Sequence, residues 1–182
     1  MTYAGWHIEQ LRFSGTNDRE AILKFAPGLT LIYGASNTGK SFAVKALDFM
    51  LGGGRELPNI QERKPYNRVF LNLALAQREV TLERAIVGGA FKLHQGDSEP
   101  ETLAPKHDSN HPANISTFLL GSMDASGKKV VVDASGTHNN LTFRDFAGVV
   151  LTNETAIQSE NSPIESGERN DVTRERNVLK FM

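Results

Sequence analysis

The stretch Gly34-Ala35-Ser36-Asn37-Thr38-Gly39-Lys40-Ser41 constrains this chain more than any other, because it fits the spacing G-x-x-x-x-G-K-[ST] in a setting that gives the spacing mechanical sense. Before it runs Leu29-Thr30-Leu31-Ile32-Tyr33, a continuous apolar and β-branched segment that predicts a strand buried on both faces of a central sheet. After it Phe42, Val44, Ala46, Leu47, Phe49, Met50 and Leu51 recur at helical spacing until Gly52-Gly53-Gly54 stops them. Strand, glycine loop and helix follow one another. In that order Gly34 and Gly39 let the backbone aim its N–H groups at a phosphate, and the helix that begins near Lys40 adds its positive end. The Lys40 ammonium is then placed to reach β- and γ-phosphates and the Ser41 hydroxyl to bind Mg²⁺. The competing reading is a glycine-rich strand-to-helix turn that binds nothing.

The rest of the chain says what surrounds that loop. Trp6 to Phe13 and Ala21 to Phe25, separated by Ser14-Gly15-Thr16-Asn17-Asp18, predict a hairpin. Arg68 to Leu75, Glu79 to Ile86 and Ala90 to His94 alternate apolar with polar residues and predict an antiparallel meander without a second βαβ unit. Residues 94–114 are rich in Asp, Ser, Glu, Pro and His, and predict an exposed loop. Ile115 to Leu120 fits a short helix or a strand, and Lys128 to Val132 a further strand. A helix is expected from Thr142, which caps it, and another from Val172 that runs to Met182 without a stop signal. The expectation is an α/β fold: a lobe over 1–141 carrying the loop, then the start of a helical lobe over 142–182 that is cut short.

Composition narrows the function classes. Twenty Lys and Arg against 21 Asp and Glu leave a net charge of −1, so no whole-chain field holds a nucleic-acid backbone and any DNA contact must be local. Zero cysteines exclude disulfides, thiolate zinc sites and a cysteine nucleophile, and agree with a reducing, cytoplasmic setting. The opening MTYAGWHIEQLRF carries charge too early for a secretory signal, and no apolar run reaches the roughly 18 residues of a membrane span, so no membrane partner is expected. His94, His107, His111 and His138 are scattered through polar stretches and do not predict a metal site. Arg169, Arg174, Arg176 and Lys180 are balanced by Glu165, Glu168, Asp171 and Glu175, the pattern of a solvated helix face.

Three stretches together resemble the N-terminal half of the head of SMC-like ATPases, the group that holds the structural-maintenance-of-chromosomes proteins and SbcC-type repair ATPases. They are Ile8-Glu-Gln-Leu-Arg-Phe13, Phe25-Ala-Pro-Gly-Leu-Thr-Leu-Ile-Tyr-Gly34 and Lys45-Ala-Leu-Asp-Phe-Met-Leu-Gly52. Val80-Thr-Leu-Glu-Arg-Ala-Ile86 looks like that group's antiparallel lobe strands. The resemblance implies a P-loop NTPase fold of ABC/SMC head type with a mixed core sheet, an antiparallel meander and a partial helical lobe. It also implies that Mg-ATP binds across 34–41 and is sandwiched between two heads, a homodimer, whose opening and closing acts on DNA in repair, maintenance or defence. The signature motif and Walker B carboxylates would lie in a C-terminal half beyond a coiled coil, so this chain alone would hold nucleotide with little ATPase turnover. Ala-Ser-Asn-Thr between the glycines departs from the group's usual Asn-Gly-Ser and points to an outlying branch of AAA-family ATP-binding proteins.

From the resemblance three further residues gain roles. Gln158, in Asn153-Glu-Thr-Ala-Ile-Gln-Ser-Glu160, stands for the glutamine that touches Mg²⁺ and the attacking water, with Glu154 or a plain loop residue as the alternatives. Arg12 in the opening strand either contacts the nucleotide or is a surface arginine. Asp133, after Val130-Val-Val, imitates a Walker B carboxylate but is followed by Ala134 and Ser135, and suits a hairpin better. The rival readings are a P-loop kinase or small NTPase, which needs repeated βαβ units, and a module that binds nucleotide without turnover.

Overall fold

Alternation of apolar and polar residues along five of its strands builds the sheet at the centre of the protein. The computed structural model describes residues 5–36, 38–76, 78–133, 135–152 and 172–179. Six strands, β1 (Trp6–Gly15), β2 (Glu20–Lys24), β3 (Tyr66–Leu75), β4 (Arg78–Ala85), β5 (Phe91–His94) and β6 (Glu101–Leu103), lie in the order β2-β1-β3-β4-β5-β6. Every pairing is antiparallel, with Leu11 opposite Leu71, Leu71 opposite Leu82 and Leu82 opposite Leu93. That register puts one apolar row from each strand on the same face. Among the described residues the sheet is therefore antiparallel throughout, where a mixed core sheet was expected.

Among the described residues four helices accompany it: α1 (Lys40–Met50), α2 (Ile115–Gly121), α3 (Phe143–Val150) and α4 (Val172–Val178). Phe49 and Met50 of α1, Leu119 and Leu120 of α2, Phe143 and Phe146 of α3 and Val178 of α4 join the inward rows of the sheet in a single buried cluster. Among the described residues, α3 and α4 thus contribute to the same core as the sheet. Trp6 leans on Phe143 at a ring separation of 5.9 Å, and Phe13 on Phe42 at 5.7 Å, which seats both α3 and α1 against β1. Asn114 caps α2 by accepting the Thr117 amide at 2.9 Å, and Thr142 caps α3 in a capping box with Asp145. β7 (Lys129–Val131) pairs with β8 (His138–Asn140) in a separate small hairpin.

Two expectations are corrected. The segment Leu29–Tyr33 is not a buried strand. It belongs to no helix or strand, makes no backbone–backbone hydrogen bond among the described residues, and leaves Leu29 89%, Leu31 77% and Tyr33 87% exposed. An apolar strand is buried only where neighbouring strands and covering layers exist, and the described residues offer this one none. The 94–114 loop, in turn, is exposed at most positions but contains β6, which pairs with β5 and buries Leu103 to 2% exposure. The Ala104 amide donates to Ala113 and the Ile115 amide to Ala104, closing the loop at its base.

Candidate functional site

The loop at 34–41 turns into α1 through Gly39, whose φ of 87° and ψ of 3° lie in the left-handed region that glycine occupies at no steric cost. At its start Gly34 packs against Thr38, and a Cβ there would stand 3.1 Å from Thr38 Oγ1. Thr38 Oγ1 donates to the Ala35 carbonyl at 2.8 Å, which cinches the loop. The two glycines of the spacing thus have separate reasons: one permits the turn, the other the close approach.

Lys40 is the first residue of α1 and its side chain folds back over the loop. Its ammonium donates to the Gly34 carbonyl at 2.9 Å and the Ala35 carbonyl at 2.5 Å, with Thr38 Oγ1 at 3.3 Å. All three acceptors are neutral oxygens, so the positive charge is oriented but not neutralised. The N-terminal end of α1 adds to it: no side chain caps the helix there and its first turn holds no acidic residue, so the leading amides and the positive end of the helix dipole stay available to an anion. Ser41 is exposed beside them. A triphosphate fits this donor set. Mg²⁺ fits it as well, since that ion keeps several waters and takes substrate phosphates plus one or two protein oxygens, and Ser41 Oγ supplies one. Among the described residues no group of three His, Asp or Glu side chains is placed to hold a metal without such help.

The other sequence candidates go elsewhere. Asn37, Gln158 and Glu154 lie outside the described residues. Arg12 sits on β1 between Leu11 and Phe13, both of which face the core, and so points to the opposite side of the sheet from the one α1 packs on. There it pairs with Glu20 at 2.6 Å and stacks 4.0 Å above Phe70. Asp133 closes the β7–β8 turn, accepting Ser135 Oγ at 2.7 Å and the Thr137 amide at 3.0 Å. Those bonds, the Ser135 hydroxyl foremost, bring its pKa down to about 2. It is a residue of the hairpin turn. His94 bonds Glu83 at 2.8 Å and His111 bonds Asp108 at 2.9 Å, each a local pair. The Asn110 amide and the His111 ring hold the Asp108 carboxyl below the usual carboxylate range.

Two arginines that the spacing of the loop does not point to reach the far end of α1. Arg84 donates to the Phe49 carbonyl at 2.7 Å, and Arg144 of α3 pairs with Asp48 at 2.7 Å. A signal existed for the first: Val80, Leu82 and Arg84 fall on the same inward-facing alternation of β4, which places a cation in the core.

No protein-family model matches the chain, and neither does any curated protein. It is similar to a solved structure from the structural biochemistry of ATP-driven dimerization and DNA-stimulated activation of SMC ATPases. That likeness covers 66% of this chain and 81% of the other, at a TM-score of 0.41 and 19% identity. A likeness of this size carries no assignment of activity.

Proposed function

We propose that the protein binds Mg-ATP through residues 34–41, with Lys40 and the leading amides of α1 on the phosphates and Ser41 on the metal, as the N-terminal half of an SMC-like ATPase head. The observation that carries this reading is the Lys40 ammonium, held by three loop oxygens over an uncapped helix N-terminus with no carboxylate among the described residues to neutralise it. An ammonium in that position is worth most to a multiply charged anion.

The exposed segment 29–33 supports the second part of the proposal. It leads straight into the loop, its backbone groups make no backbone–backbone hydrogen bond among the described residues and its side chains are mostly apolar, which suits the addition of strands from the complementary half of the head. Those strands would carry the Walker B carboxylates and complete the site. A second head and DNA follow as partners of the assembled protein. The kinase reading is disfavoured by the sheet, whose described strands pair only antiparallel and lack the repeated βαβ units that it needs.

Calorimetric titration with Mg-ATP tests the site. The parent binds, and Lys40→Ala weakens binding at least about thirtyfold, the equivalent of roughly 2 kcal/mol for one charge-assisted contact to phosphate. Equal affinity in the two proteins refutes the assignment.

A further inference from the structure

The loop sits at one end of α1, and the other end is gripped by a side chain from the sheet. Arg84 is only 7% exposed. Its Nη1 donates to the Phe49 carbonyl at 2.7 Å and its Nε to the Gly89 carbonyl at 3.1 Å, while its guanidinium lies 4.0 Å from the centre of the Phe49 ring and 4.4 Å from that of Phe91. Among the described residues no carboxylate pairs with it. A buried arginine without a carboxylate is costly, and burial pulls its pKa down to about 10. An apolar side chain would fill the space between the two rings without that cost, but it would leave the Phe49 and Gly89 carbonyls without this donor.

Those two carbonyls show what the arginine connects. Phe49 is in the last turn of α1, where the chain stops with Gly52 at a φ of 87° and the Gly53 amide bonded to Asp48 at 2.8 Å. This closure leaves the carbonyl one residue further on for a donor from outside the helix. Gly89 belongs to the turn between β4 and β5. One planar guanidinium therefore fastens the end of the helix to the strand and to the turn at once, a geometry that an ammonium cannot reproduce. Lys40 lies nine residues back along α1, about 14 Å at 1.5 Å per residue, so a tilt of about 5° at Phe49 moves Lys40 and Ser41 by about 1 Å.

We propose that Arg84 is a positioning residue for the nucleotide: by fastening the C-terminal end of α1 to β4 and to the Gly88–Gly89 turn, it fixes the orientation in which Lys40 and Ser41 meet the triphosphate and its metal. The inference rests on the reading of 34–41 as a Mg-ATP site. Arg144, the second arginine at this end of α1, is the contrasting case. Its ion pair with Asp48 joins side chains that are 41% and 27% exposed, and such pairs contribute little.

The test compares the parent, Arg84→Met, Arg84→Lys, Arg144→Gln and Lys40→Ala. Each is titrated with ATP in the presence of Mn²⁺, at a temperature where near-ultraviolet circular dichroism shows it folded, and the electron paramagnetic resonance spectrum of the bound Mn-ATP is recorded. Arg84→Met and Arg84→Lys are expected to weaken binding about tenfold and to broaden the spectrum, because metal and phosphates then sample several orientations; Arg144→Gln leaves both readouts at the parent values. A folded Arg84→Met that melts earlier but keeps the parent's affinity and spectrum overturns the proposal and leaves Arg84 a purely structural role. If Arg84→Met does not fold, Arg84→Lys decides by the same two readouts. If the parent does not bind, or Lys40→Ala binds as well as the parent, the Mg-ATP reading itself fails and the positioning role falls with it.

Discussion

Replacing Leu31 by Asp separates two accounts of the segment that feeds the phosphate loop. In a strand buried on both faces, the change removes a leucine worth about 2–3 kcal/mol of burial and forces a carboxylate into an apolar layer, for a total of about 5 kcal/mol or more. In the structure Leu31 is 77% exposed and its backbone pairs with nothing among the described residues. About a quarter of its surface is then removed from water, so the loss is roughly 0.5 kcal/mol. Equilibrium urea unfolding resolves that difference easily: Leu31→Asp should keep the parent's midpoint within the small shift of an ordinary surface substitution. The same variant should lower any concentration-dependent self-association seen by sedimentation, because an exposed run of Leu29, Leu31, Ile32 and Tyr33 with backbone groups unpaired among the described residues is a surface for intermolecular pairing. A loss of 3 kcal/mol or more in the isolated chain would refute the exposed placement and put the segment back inside a sheet.

Two further substitutions probe the packing around the site. Asp145 accepts the Thr142 amide at 2.7 Å and pairs with Arg174 at 2.7 Å while its own side chain is 9% exposed, so Asp145→Ala should cost about 2–3 kcal/mol in urea unfolding by removing a cap and stranding a half-buried cation; a much smaller loss in the background of Arg174→Met would assign the effect to the pair. Leu103→Ala should cost about 2–4 kcal/mol and extend limited proteolysis from the exposed part of 94–114 into β6, whereas unchanged stability and an unchanged cleavage pattern would mean that the loop is dispensable throughout.

What the sequence determined by itself is local. The spacing of Gly34, Gly39, Lys40 and Ser41 specifies a turn that only glycine permits and a cation at a helix start, and these depend on neighbours within eight residues. The cap at Thr142 and the alternation of β3 and β4 are legible for the same reason, since dihedral preference and side-chain period act over a few residues. Leu29–Tyr33 marks where that legibility ends: its composition states that the segment prefers burial, but burial needs partners, and which strands lie alongside is a property of the whole fold. Leu103 shows the converse, a lone apolar residue in a polar stretch that pairing with β5 draws into the core. Arg84 depended on tertiary structure most of all. Its inward position could be read from the alternation of β4, but its two acceptors lie on other segments, and only the packing of α1 on the sheet brings the Phe49 carbonyl within 2.7 Å of a guanidinium 35 residues away. Short-range sterics set the loop, and long-range packing decides how the loop is held.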